Sequence, residues 1–206
     1  MSRITCKTCR RLGTSVCGRV KCGYIKRPFA PGKLDSERKH RSTQSEYGGQ
    51  LKAKQLLRVS YGLREKQFSL YAAKAMSANE TAKERIAPEL RLFRTLESRL
   101  DNVVYRMGLA ASRSLARQLV SHGHVTINGK KTTIPSRITK IGDVVGIREG
   151  SKNIKPFENA LETLSAKTSL TWITVDSKTL SAKVVGEVRE VEPLYDMGKV
   201  LEFYSK

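Results

Sequence analysis

The sequence predicts an α+β fold: a mostly helical part, a smaller part in which two helices pack on a short, mostly antiparallel sheet, and an irregular N-terminal arm. Three observations carry that expectation. Apolar residues recur at helical spacing from Gln50 to Met76 and again from Glu89 to Val120. After Gly123 the period shortens to two and tight-turn residues enter. Between Cys22 and Gln50 no periodicity is sustained. With 39% apolar residues in a chain of 206, modest cores in one large or two small domains are affordable, one extensive core is not.

The first element is a cysteine cluster. Cys6, Cys9, Cys17 and Cys22 are the only cysteines, spaced as a CxxC pair, a gap of seven residues, and a pair separated by four. Four thiolates in so short a span can surround one cation tetrahedrally and leave no ligand position open, which points to a structural rather than a catalytic metal. Zinc is the first choice. An iron-sulfur cluster uses the same donors, and disulfides would require an oxidising compartment. The N-terminus lacks a secretory apolar core, so a reducing cytosol is expected. Arg10, Arg11, Arg19, Lys21, Lys26 and Arg27 surround the cluster and would offset its negative charge.

The next stretch, GYIKRPFAPGKLDSERKHRSTQSEYGG, mixes proline, glycine, serine and charge, as expected of an arm ordered by a partner. Arg38, Lys39, His40 and Arg41 form a dense basic cluster within it. From Gln50, residues Leu51, Lys54, Gln55, Leu56 and Leu57 mark one helix, and Phe68, Tyr71, Ala72, Ala75 and Met76 a second, joined near Gly62. Residues 77–88 read as a loop with some helical character, and Pro88 permits a helix to begin near Glu89. Leu96, Leu100, Val103 and Met107 then form one stripe, with Arg99 and Arg106 two turns apart on another, outward face, and Gly108 as the stop. Ser112 caps a further helix whose Leu115, Ala116, Leu119 and Val120 face inward, with Arg113 and Arg117 near its start and Gly123 at its end.

Val125 and Ile127 alternate with polar neighbours up to Asn128-Gly129, the preferred pair for a two-residue hairpin turn, and Lys130 and Lys131 follow. Ile134, Ile138 and residues 141–147 suggest further short strands with a turn at Gly142-Asp143. Residues 151–155 break the pattern, 157–166 suit a helix, and 170–175 with 179–185 read as a strand pair. Leu194, Met197, Val200 or Leu201, and Tyr204 describe a last helix that returns to the first helical pair.

Charge then narrows function. The chain carries 39 Lys and Arg against 19 Asp and Glu, a formal charge of +20, which calls for a polyanionic partner. Residues 1–66 hold 17 basic and 4 acidic side chains, residues 67–156 hold 16 and 7, and residues 157–206 hold 6 and 8, so binding belongs to the first three quarters. A membrane is not expected as partner, since the basic segments lack a long apolar face and no apolar run approaches the roughly 18 residues of a span. His40, His122 and His124 are the only histidines. None has a Ser, Cys or acidic partner at catalytic spacing, so no catalytic residue and no small-molecule substrate are expected.

The segments EYGGQLKAKQLLRVSYGLREKQF, LESRLDNVVYRMGLAASRSLARQLVSHGHVTINGKK, GDVVGIRE and LEFYSK carry a resemblance covering almost the whole length. In them the chain is similar to the family of the fourth protein of the bacterial small ribosomal subunit, ribosomal protein S-four. The resemblance implies a helical domain, residues 44–95 completed by 190–206, into which an RNA-binding domain, 96–189, is inserted behind the arm, 1–43. It implies a primary assembly protein that binds the 5′ domain of small-subunit ribosomal RNA, lies near the path of incoming messenger RNA, and contacts the subunit's fifth protein at an interface linked to decoding accuracy.

The family's RNA-binding motif falls on Arg99, Leu100, Asp101, Ser112, Arg113, Leu119, Asn128 and Gly129. Leu100 and Leu119 are expected in the core, and Asp101 to orient an arginine or cap locally. The knuckle resembles a subset of the family, although its seven-residue gap is shorter than in those members. Arg38 to Arg41 sit about where the family approaches messenger RNA. Charge and resemblance together nominate Arg10, Arg11, Arg38, Lys39, Arg41, Lys52, Lys54, Arg58, Arg99, Arg106, Ser112, Arg113, Arg117, Lys130 and Lys131 as RNA contacts. An RNA-modifying or tRNA-handling enzyme with the same module lacks room for its catalytic domain. A zinc-dependent nucleic-acid-binding regulator would need a recognition helix where this chain has an irregular arm.

Overall fold

The computed structural model describes residues 5–19, 21–32, 45–77, 86–152, 154, 157, 170–176 and 179–205. The chain divides into two compact units, Met1–Glu89 with Val191–Lys206, and Leu90–Glu190. The basic cluster at Arg38, Lys39, His40 and Arg41, and the helix expected over 157–166 apart from Phe157, lie outside the described residues.

In the first unit the N-terminus is more regular than its sequence suggests. Helix α1 spans Cys6–Leu12 and ends on Gly13, whose φ of 74° lets its N–H and that of Thr14 return to the Cys9 carbonyl. A short helix α2, Gly23–Lys26, follows, capped by the Cys22 sulfur accepting from the Tyr24 N–H. The expected irregular arm is thus helical at both cysteine-bearing ends, because a CxxC pair and an N-capping cysteine each occupy a helical turn.

Helix α3, Glu46–Ser60, begins four residues before the Gln50 start that periodicity indicates, since the Ser45 hydroxyl accepts from the Gly48 N–H and offsets two glycines in the first turn. A turn at Tyr61 and Gly62 (φ 60°) leads to α4, Glu65–Ser77. The last helix, α8, Met197–Ser205, packs on α3 and α4. Tyr61 meets Tyr195 at 5.9 Å between ring centroids, Phe68 meets Tyr204 at 5.9 Å, and Tyr47 meets Phe203 at 5.7 Å. Gln50 donates through Nε2 to Glu46 and Glu202, tying α3 to α8.

One carboxylate organises this interface. Glu65 accepts from Lys54 Nζ at 2.7 Å and from the Tyr204 hydroxyl at 2.8 Å, while Arg58 Nε lies 3.3 Å away. Lys54 also stands over the Phe203 ring, 4.0 Å from its centroid. Lys54 is therefore a buried interior side chain, which corrects its assignment to an RNA-facing surface.

The second unit holds α5 (Pro88–Glu97) from Leu90 onward, α6 (Leu100–Arg106), α7 (Arg113–Ser121) and a five-stranded sheet. Its strands are β1 (Val125–Ile127), β2 (Lys130–Lys131), β3 (Val144–Ile147), β4 (Ile173–Asp176) and β5 (Ser181–Val184), all antiparallel in the order β2-β1-β3-β5-β4. Val125, Ile127, Val145, Ile147, Ile173, Ala182 and Val184 form its buried face, and Leu92, Phe93, Leu96, Leu100, Val103 and Met107 are buried on the helices.

Two expectations change here. The helical stripe from Leu96 to Met107 is fully buried, yet the helix breaks at Ser98-Arg99, where Arg99 is extended and bridges Ile138. The loop after β2 explains the break: the Arg137 and Pro135 carbonyls accept from the Leu100 and Asp101 N–H groups, and the Thr139 N–H and hydroxyl both donate to the Ser98 carbonyl. That same loop, expected as strands around Ile134 and Ile138, forms no regular strand, because its carbonyls cap α6 instead of joining the sheet.

The pH behaviour of the α3–α4–α8 interface follows from its two ionisable anchors. Burial would raise Glu65, but hydrogen bonds from Lys54 and Tyr204 outweigh it and hold the carboxyl below its ordinary 4.5. Burial, then the Glu65 hydrogen bond, push the Tyr204 phenol far above its ordinary 10. The raised phenol contributes stability below about pH 10 that is lost as pH climbs beyond it, and the depressed carboxyl contributes stability above about pH 4.5 that is lost on acidification. Tyr204→Phe should flatten the alkaline decline in urea stability followed by circular dichroism, and cost about 1 kcal/mol at neutral pH.

Candidate nucleic-acid interface

The basic surface of the second unit is built around two buried carboxylates. Glu97, at the end of α5, is 1% exposed, and Asp101, in the first turn of α6, is 5% exposed. Neither can sit there as a bare charge, since an unpaired buried carboxylate is strongly destabilising. Arg106 forks Glu97 through Nε and Nη2 at 2.7 and 2.9 Å. Arg99 forks Asp101 through Nε and Nη2 at 3.0 and 2.8 Å. From α7, Arg117 lies 3.7 Å from Asp101, and Arg113 lies 3.9 Å from Glu97 while donating to the Asn102 side chain at 2.7 Å. The Arg113 guanidinium also stacks over Tyr105, 4.6 Å from the ring centroid.

The four arginines therefore have different stations. Arg99 is 0% exposed, which corrects the expectation of an outward Arg99: its fork locks the α5–α6 junction and cannot lie on a surface. The side chains of Arg106, Arg113 and Arg117 keep 15, 18 and 29% of their surface. These three side chains are only partly covered, and Arg113 opens α7, where the helix N-terminus itself attracts anions. Ser112 caps that helix, its hydroxyl accepting from the Leu115 N–H at 3.3 Å.

The hairpin stands beside this helix. Asn128 and Gly129 both have positive φ, 51° and 78°, the geometry a tight two-residue turn demands. Lys130 and Lys131 follow on β2, both exposed, and the Lys131 stem lies over Gly123 at the end of α7, where any Cβ would collide with it. Asn128 has a second job that the sequence does not announce. Its side chain accepts from the Val144 N–H and donates to Asp143, each at 2.8 Å, clamping the hairpin to the next turn. The Lys140 N–H, then the Asn128 amide among the lesser causes, hold the Asp143 carboxyl below its usual range. Arg137 and Lys140 are exposed on the loop that caps α6 and belong to the basic surface of this unit, although a strand reading of that loop gives them no role.

In the first unit, Lys52 is exposed on α3, Arg58 is partly covered and engaged with Gln55 and Glu65, and Arg11 is exposed. Arg10 is occupied within the arm, donating to the Phe29 and Ala30 carbonyls and stacking on the Phe29 ring.

The cysteines converge. The sulfurs of Cys6, Cys17 and Cys22 lie within 4.8 Å of one another, and the buried Cys9 sits on the same short helix as Cys6. Sulfurs about 2.3 Å from one tetrahedral ion would be close neighbours, as these three are. Burial pushes the Cys9 thiol up to about 11. At Cys22 burial is outweighed by the Ser15 hydroxyl and the Tyr24 N–H, and the thiol falls to about 6. A divalent cation would supply the charge that lets all four ionise. Gly23 makes the approach possible: a Cβ there would lie 2.9 Å from the Cys6 Cβ, a steric requirement that spacing alone does not reveal.

Residues 98–145 match the S4 domain, and residues 2–97 match the ribosomal protein S4/S9 N-terminal domain. Small ribosomal subunit protein uS4 of Fervidobacterium nodosum is 39% identical over 98% of this chain and 96% of its own length. The proteins of the same name from Thermotoga maritima and Pseudothermotoga lettingae are 40% and 38% identical, with both chains covered completely.

Removing the Arg99 side chain tests the buried network. Arg99→Met should lower the stability of the second unit by about 3–5 kcal/mol, because Asp101 loses its closest partner. Urea unfolding followed by the emission of Trp172, the one tryptophan, reads this unit, and the exposed Lys130→Ala should stay within about 0.5 kcal/mol of the parent.

Proposed function

Because the chain belongs to the ribosomal protein S4 family, we propose how its parts divide the work of that family. It is a structural, non-enzymatic, RNA-binding component of the small ribosomal subunit. The S4-domain unit grips RNA backbone through Arg106, Arg113 and Arg117 at the start of α7 and through Lys130 and Lys131 on the hairpin. The observation that carries this reading is the three partly exposed arginine side chains held by internal carboxylates, one of them opening α7. RNA helices are read mainly through phosphate and shape, so charge sets the affinity and the fixed positions of the cations set which RNA fits. Arg99 and Ser112 support this surface from within rather than touch RNA, and Lys54 takes no part. Arg11, Lys52 and Arg58 supply secondary contacts from the first unit.

The target is the 5′ domain of small-subunit ribosomal RNA, bound early in assembly in the cytosol. The fifth protein of the subunit is its protein neighbour, and Arg38, Lys39 and Arg41 face incoming messenger RNA. The cysteine knuckle holds one structural zinc through Cys6, Cys9, Cys17 and Cys22. The convergence of the Cys6, Cys17 and Cys22 sulfurs supports it, with Cys9 as the fourth donor of the proposal. The ion orders the arm and leaves no position for substrate.

Binding of small-subunit ribosomal RNA across a salt series should weaken steeply, and Lys130→Ala or Lys131→Ala should each reduce the slope of log K against log salt by about one. Equal affinity of the parent for the 5′ domain and for arbitrary duplexes would refute the assembly role. Elemental analysis of the purified protein should find zinc. Iron in its place would assign a cluster, and a metal-free, folded N-terminus would reject both. Gly23→Ala should release zinc at lower chelator concentration than the parent.

A further inference from the structure

Glu97 is a costly charged residue on elementary grounds. It is 1% exposed and closes a helix, where the dipole disfavours an anion. A well-packed apolar residue would serve stability as well or better at such a site. What a carboxylate supplies there is geometry. Both of its oxygens receive the Arg106 fork, at 2.7 and 2.9 Å, and Oε1 lies 3.9 Å from Arg113 Nη2. The Glu97 carbonyl accepts from the Asn102 amide at 3.2 Å, and the other end of that amide accepts Arg113 Nε at 2.7 Å. One residue of α5 thus sets the orientation of an arginine from α6 and another from α7.

The geometry points to Glu97 as a positioning residue for RNA recognition: it holds Arg106 and Arg113 in one arrangement, so that the arginine surface discriminates among RNA shapes instead of binding any phosphate backbone. This rests on the reading of that surface as the RNA-contacting one. A guanidinium fixed by a bidentate carboxylate keeps its plane in place, whereas a released one follows whichever phosphate is nearest. Glu97 also neutralises one positive charge beneath the surface, which moderates shape-independent attraction.

The experiment compares the full chain with Glu97→Gln and Arg106→Lys, each titrated with small-subunit ribosomal RNA and with an arbitrary duplex over a salt series, while Trp172 emission reports folding. Glu97→Gln should bind the duplex more tightly, with a salt slope steeper by about one, and its preference for ribosomal RNA should fall by about tenfold. Arg106→Lys keeps the charge but cannot make the fork, so its preference should fall at an unchanged slope. It decides the matter alone if Glu97→Gln does not fold. A folded Arg106→Lys with the parental preference overturns the inference, as does a Glu97→Gln that weakens both RNAs equally at the parental slope, the signature of a purely structural role. A parent with no preference at all overturns the underlying reading of the surface, and the inference with it, before any variant is compared.

Discussion

The second unit depends on two acids that cannot reach water. Glu97 and Asp101 are buried in a strongly basic chain, and each must be answered by a cation at close range. The answers come from every helix junction nearby: Arg99 at the start of α6, Arg106 at its end, Arg113 and Arg117 on α7. The requirement to pair two interior charges therefore fixes how three helices meet. The arginines that remain partly exposed inherit rigid positions from it.

The α3–α4–α8 interface uses the same device with other residues. Glu65 collects Lys54, Arg58 and the Tyr204 hydroxyl, so a lysine sits inside and the terminal helix is fastened to α3 and α4. In a chain of formal charge +20, some cations must be spent internally before a surface can be assigned to a partner. Lys54 and Arg99 are spent wholly, Arg106, Arg113 and Arg117 in part. Charge counting overstates the RNA-facing surface for this reason.

Local features were legible from residue order. The Ser112 cap, the Asn128-Gly129 turn, the buried stripe from Leu96 to Met107 and the returning helix near Leu194 to Tyr204 each depend on interactions within a few residues or on simple periodicity. The break at Ser98-Arg99 was not legible, because it is made by carbonyls of residues 135 and 137. The Asn128 clamp on residues 143 and 144 and the fit of Gly23 against Cys6 were equally hidden, since both partners are distant in sequence.

The sequence by itself determined the α+β class, the positions of most helices and of the central hairpin, the convergence of charge on a polyanionic partner, and the four cysteines as a possible ligand set; its length-wide resemblance pointed to the ribosomal family. Only the tertiary structure decided which cations face solvent. That choice turns on burial and on pairing with Glu65, Glu97 and Asp101, and neither burial nor a partner's place in space is written in the spacing of the charges along the chain.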